Sequence, residues 1–212
     1  NVLKTMADKS VDLVITSPPY DNLRDYQGYN FNFGEIAKEL YRVIKERGVM
    51  VWVVGDSTVD GNETGTSFRQ ALYFKEIGFN LHDTMIYQKN SYPFPPSNRY
   101  FGVFEYMFIL SKGVPKTTNL IRVPTIAIAL GKKHKSSTSR QKDGSIEPMK
   151  YEMGKENRVK ENIWKYDVGY GKSSNDKLTF EHPATFPDKL AQDHIISWSN
   201  KGDIILDPFM GS

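Results

Sequence analysis

Thr16-Ser17-Pro18-Pro19-Tyr20 follows directly on a short apolar run, Val11-Asp12-Leu13-Val14-Ile15. Such a run, rich in β-branched residues and closed by two prolines, reads as a buried strand that stops abruptly, because proline cannot donate to a sheet ladder. The chemistry on offer at its end is hydrogen-bond acceptance. The Ser17 hydroxyl oxygen and the Pro18 carbonyl can take both hydrogens of a conjugated amine, favouring a pyramidal nitrogen whose lone pair is released from the ring. Two prolines stiffen the loop that holds these acceptors. Tyr20 adds a flat face on which a planar ring can stack. Taken alone, the same five residues also describe a tight Pro-Pro turn with a core tyrosine.

Two further groups lie near the other end of the chain. His182-Pro183-Ala184-Thr185-Phe186-Pro187 precedes a helical pattern, and Asp207-Pro208-Phe209-Met210-Gly211-Ser212 follows a short strand. Gly211 lets backbone come close to a ligand. In isolation each has a plainer reading, a surface histidine beside proline and a strand-to-turn stop.

The elements that must position these groups alternate. After the first strand, Ile36, Leu40, Val43 and Ile44 recur at helical spacing from Phe33 to about Glu46, with Gly48 as a stop. Val49–Val54 is the next strand. Phe68, Ala71, Leu72 and Lys75 mark the inner face and stem of a helix that ends at Gly78, and Asn80–Gln88 and Phe104–Leu110 read as strands around an irregular, proline-rich stretch from Tyr92 to Asn98. From Ser111 to about Lys160 the pattern gives way to a run of basic residues with few acids. It then returns as a helix opening at Pro187, with Leu190, Ala191, His194, Ile195 and Trp198 on one face, and a strand over Asp203–Leu206. Strand and helix in alternation predict an α/β fold: a doubly wound, mostly parallel sheet carrying one insertion. The divisions are 1–110, the basic insertion 111–160, and 161–212.

Composition narrows the functions. With 39% hydrophobic and 13% aromatic residues the chain has the means for a packed core. No apolar stretch approaches the roughly 20 residues of a membrane span, and a soluble, cytoplasmic protein with no membrane partner is expected. There is no cysteine, which removes disulfides, cysteine-ligated zinc, iron–sulfur clusters and any thiol nucleophile. No metal site is expected. A net charge of +3 is too small to imply nucleic acid by itself.

The Ser-Pro-Pro-Tyr loop resembles the catalytic motif of the DNA amino-methyltransferases, in which Asp, Asn or Ser precedes Pro-Pro and an aromatic residue. The His-Pro-Ala and Asp-Pro-Phe groups resemble that family's two cofactor motifs, in the permuted order of its β class. Phe104–Gly113 resembles the strand leading into the family's specificity region, and Asn162-Ile163-Trp164 the element that follows it, so the likeness covers nearly the whole chain. It implies a Rossmann-like methyltransferase fold and a methyl transfer from S-adenosylmethionine to the exocyclic amine of a base flipped out of double-stranded DNA. Ser17, Pro18, Pro19 and Tyr20 would be catalytic. His182, Pro183, Phe186, Asp207, Pro208, Phe209, Gly211 and Ser212 would serve the cofactor, with Phe186 equally open to being a staple for the following helix. The basic insertion would be the target-recognition region, with Lys132, Lys133, Lys135 and Arg140 on DNA. A homodimer and a cognate restriction endonuclease are further partners that the likeness brings with it.

Serine at the first motif position is commoner among cytosine-N4 enzymes and aspartate among adenine-N6 enzymes, so cytosine N4 is favoured over adenine N6. Cytosine-C5 methylation needs a cysteine nucleophile and is excluded. Two other classes stay open: an RNA or protein-glutamine amino-methyltransferase, and an inactive DNA-binding subunit that keeps the fold. The family's motif continues past Gly-Ser into further Gly and Thr residues and an acidic residue for the ribose, so the chain is expected to be a piece of a longer protein.

Overall fold

The computed structural model describes residues 2–19, 31–95, 97–125, 138–148, 156–169, 173 and 187–210. The chain divides into two compact units, Asn1–Asn119 together with Asn162–Ser212, and Leu120–Glu161. The larger unit holds a six-stranded sheet. Its strands are β1 (Val11–Thr16), β2 (Ile44–Val54), β3 (Asn80–Lys89), β4 (Phe104–Ser111), β5 (Ile163–Tyr166) and β6 (Ile205–Leu206). They lie side by side in the order β5-β3-β4-β2-β1-β6. β1 is parallel to β2 and β6, and β5 is parallel to β3, whereas β4 is antiparallel to both β2 and β3. Five strands therefore point one way and β4 alone runs against them.

Helices cover both faces, as the alternation of elements predicts. On one face, α1 (Phe33–Val43) and α2 (Thr66–Glu76) bury Ile36, Leu40, Val43, Ala71 and Phe74 against Val11, Val14, Met50, Trp52, Phe108 and Leu110. Residues one step along the strands point the other way. There α3 (Asp188–Trp198) lays His194 flat on Trp164, ring centroids 4.8 Å apart, with its Nε2 3.3 Å from the sulfur of Met107. Among the described residues no helix is long and apolar enough to cross a membrane.

Several details depart from the sequence reading. α1 stops at Val43 rather than Glu46, since the buried, β-branched Ile44 already pairs with Val11 of β1. Register then jumps, so that Leu13 faces Val49, and residues 45–48 form an excursion from the strand. Gly48 sits inside it, where an added Cβ would lie 2.8 Å from Ile44 Cγ2 and 2.9 Å from the Lys45 carbonyl oxygen. Only glycine fits there, and what it permits is a bulge rather than a helix stop.

α2 turns a different face inward. Phe68 and Leu72 are 51% and 58% exposed, while Ser67 and Gln70 are buried beside Ala71 and Phe74. Polar side chains go inside because each has a partner: Ser67 bonds Asp56, and Gln70 accepts from the Trp52 indole at 2.8 Å. On α3 likewise, Ile195 is exposed and Asp193 is buried, held by the Tyr166 hydroxyl, which donates to it at 3.0 Å. β6 is confined to Ile205–Leu206 within the expected Asp203–Leu206.

The smaller unit, Leu120–Glu161, contains two antiparallel pairs, Arg122–Pro124 with Asn157–Val159, and Thr138–Arg140 with Ile146–Pro148. Residues 111–119 belong to the larger unit, where Asn119 bonds Ser197 and Ser199.

Candidate active site

From β1 the chain crosses by α1 to β2 on one side, while β6, reached through α3 on the opposite face of the sheet, lies on the other side of β1. Such a reversal of direction opens a crevice beyond the carboxyl ends of the two strands. The Ser-Pro-Pro loop leaves β1 at this point and the Asp-Pro-Phe loop leaves β6 there.

β6 is tied to β1 along its length. At its entry, the Ile204 carbonyl accepts the N–H groups of Asp12 and Leu13 at 2.9 and 3.2 Å, and the Ile204 N–H donates to Asp12 Oδ2 at 3.0 Å. Burial alone would raise the Asp12 pKa, but the Lys45 ammonium 2.6 Å away and the Ile204 N–H outweigh it and hold the carboxyl below its ordinary range. At the exit, Thr16 Oγ1 donates to Asp207 Oδ1 at 2.5 Å, and the same oxygen accepts the Phe209 N–H at 3.0 Å. Thr16 has no solvent exposure. The next residues on the β1 side, Ser17 and Pro19, are half-buried, and Pro18 is buried.

Phe209 is held from behind. Its ring meets Phe31 edge-on at 5.5 Å and Trp52 at 6.2 Å, in an aromatic group that continues through Phe33 and Phe74. The Asp-Pro-Phe loop thus rests on the α1/α2 core. At the carboxyl end of neighbouring β2, Asp56 anchors α2: Oδ1 accepts the Ser67 N–H at 2.9 Å and Oδ2 accepts the Ser67 hydroxyl.

Of the sequence-derived site residues, Ser17, Pro18 and Pro19 follow the end of β1 and Asp207, Pro208 and Phe209 follow the end of β6, its neighbour in the sheet. Tyr20, His182, Pro183, Phe186, Gly211 and Ser212 lie outside the described residues, as do Lys132, Lys133 and Lys135. Arg140 is exposed at the end of a short strand in the smaller unit. Sequence reasoning missed Thr16 and Asp56. A threonine ending a strand is ordinary, but an acid just after a strand, eleven residues ahead of a buried helical serine, is a legible anchoring signal. Among the described residues no cluster of His, Asp and Glu could hold a metal ion.

The arrangement offers fixed acceptors on one wall and an anchored carboxylate with an aromatic ring on the other. That combination suits a polar amine on one side and a cationic, partly aromatic ligand on the other.

Comparison with known proteins agrees in sequence and in fold. The DNA methylase family of N6 and N4 methyltransferases matches residues 11–212. The orphan methyltransferase M.BamHII of Bacillus amyloliquefaciens is 59% identical over 210 residues, which cover 99% of this chain and 79% of that protein. The PvuII DNA methyltransferase, described as cytosine-N4-specific, superposes with a TM-score of 0.65 at 19% identity, covering 97% of this chain and 69% of its own. TTHA0409 of Thermus thermophilus, described as a putative DNA modification methylase and solved with S-adenosyl-L-methionine, gives 0.62 at 24% identity, covering 99% and 75%.

Proposed function

The chain belongs to the DNA methylase family of N6 and N4 methyltransferases, and on that premise we propose that it transfers a methyl group from S-adenosylmethionine to the exocyclic amine of a base extruded from duplex DNA, cytosine N4 in preference to adenine N6. The observation that supports this reading is the Thr16–Asp207 hydrogen bond, which joins the ends of two neighbouring strands 191 residues apart in sequence, each followed by one of the two motifs.

The crevice fits the cofactor in its chemistry. Asp207 offers a carboxylate to the methionine ammonium, directly or through water, and Phe209 offers an aromatic edge to the adenine or the aliphatic chain. When bound, S-adenosylmethionine supplies a methyl group on a positively charged sulfur. The chain's own residues prepare the acceptor: Ser17 and the Pro18 carbonyl draw the two amine hydrogens, Pro19 keeps the loop stiff, and Tyr20 receives the extruded base by stacking. Held by Asp207 and Phe209, S-adenosylmethionine would give its methyl group to the amine nitrogen and leave as S-adenosylhomocysteine, with the surplus amine proton passing to water. Serine at position 17 underlies the choice of cytosine.

The smaller unit is the proposed target-recognition region. Its hairpin carries Arg140 into solvent, and its basic residues suit phosphates, while its Ser, Thr, Asn and Gln side chains suit base edges. Methylation-sensitive sequencing of DNA from cells expressing the intact protein tests the whole reading, since it reports both the modified base and its context. N4-methylcytosine at a fixed sequence is the expected result. N6-methyladenine would overturn the choice of base, and unmodified DNA would overturn the activity.

A further inference from the structure

We infer that Thr16 is a positioning residue for methyl transfer, fixing the Asp207 carboxylate that receives the cofactor's ammonium and tying that carboxylate to the strand that ends in Ser17. The inference rests on the proposed function and adds a residue to it.

Three observations support it. The Thr16 hydroxyl is fully buried and its hydrogen is directed to Asp207 Oδ1 at 2.5 Å. The Phe209 N–H reaches the same oxygen at 3.0 Å, so two donors from different directions fix the carboxylate's position, and a charge-assisted bond is stronger than a neutral one. Thr16 is also the immediate neighbour of Ser17. A shift of Thr16 therefore moves an acceptor for the amine and the anchor of the methyl donor together, and transfer is sensitive to displacements of about 1 Å in such pairs. A threonine whose only task was strand packing would do as well with a methyl group in place of its hydroxyl.

The test uses the intact protein, with Thr16→Val, which keeps the shape and removes the donor, and Thr16→Ser, which keeps the donor. Calorimetry measures S-adenosylmethionine and 5′-methylthioadenosine, a ligand without the amino-acid portion. Thr16→Val should weaken S-adenosylmethionine by about tenfold and leave 5′-methylthioadenosine unchanged, while Thr16→Ser should stay within about twofold of wild type for both. In an Asp207→Ala background, Thr16→Val should cost no further affinity. If Thr16→Val does not fold, Thr16→Ala in the same two backgrounds gives the same comparison. Equal weakening of both ligands, or a Thr16→Ser variant as impaired as Thr16→Val, would reduce Thr16 to a packing role and overturn the inference. A wild-type protein that bound S-adenosylmethionine normally beside an unaffected Thr16→Val would overturn the inference alone, whereas a wild type that bound neither ligand would overturn the proposed function with it.

Discussion

Trp52 donates its indole hydrogen to Gln70 Oε1 at 2.8 Å, joining the carboxyl end of β2 to α2 inside the core. Both residues are 5% exposed or less, so water cannot replace the acceptor. Gln70→Leu should cost about 1–3 kcal/mol, the penalty of an orphaned buried donor, read as a lower urea midpoint at unchanged slope. Because Trp52 also backs Phe209, the same variant should bind S-adenosylmethionine more weakly.

On the proposed mechanism, Ser17→Ala removes an acceptor for the reacting amine. Turnover should fall by about a hundredfold or more, with the cofactor dissociation constant unchanged. Steady-state methylation of cognate duplex beside calorimetry separates the two effects, and a collapse of cofactor binding with normal turnover would reverse the role assigned to Ser17.

The Asp12–Lys45 pair gives the fold a dependence on acid. The Asp12 carboxyl titrates below its ordinary value of 3.8 in the folded chain. Its contribution is therefore present above that value and is lost as the pH falls through the lower folded one. Asp12→Asn should flatten the decline in the urea midpoint below about pH 4 and leave the Ile204 N–H with an acceptor. An unaltered decline would place the acid sensitivity elsewhere.

Gly48→Ala forces a methyl group against Ile44 and two carbonyl oxygens, those of Lys45 and Asp12, the nearest atom 2.8 Å away. Overpacking of this kind costs about 1–3 kcal/mol. Thermal unfolding of the variant is the measurement, and an unchanged midpoint would mean that residues 45–48 relax freely.

Replacing Lys132, Lys133, Lys135 and Arg140 together by alanine should weaken DNA binding and flatten the slope of log affinity against log salt concentration, because a phosphate that no longer meets a cationic side chain keeps its counterion. Wild-type affinity and slope in that variant would remove this basic stretch from the DNA-contacting surface.

The parts of the molecule that the sequence made legible are those where chemistry and periodicity coincide. Ser17-Pro18-Pro19 and Asp207-Pro208-Phe209 each follow a short apolar run, and both runs are strands that pair with each other. Other features depend on partners far away in sequence. Phe68 and Leu72 were the natural apolar face of α2, but Asp56 and Trp52 draw Ser67 and Gln70 inward instead. Apolar alternation identified β4 without its direction, since a strand has the same period of two whichever way it runs. The weight of Thr16 depends on β6 lying beside β1, a pairing between segments 191 residues apart.

The Thr16–Asp207 bond also orders events during synthesis. Its partners are 191 residues apart, and at a ribosomal rate of about 5–20 residues per second the acceptor emerges roughly 10–40 s after the donor. Through that interval β1 can pair with β2 but has no neighbour on its other side, and its open edge is available to any other extended chain. Of the six strands β6 is made last, so a nascent chain that paired this edge of β1 wrongly would lose the Thr16–Asp207 junction while keeping most of its core.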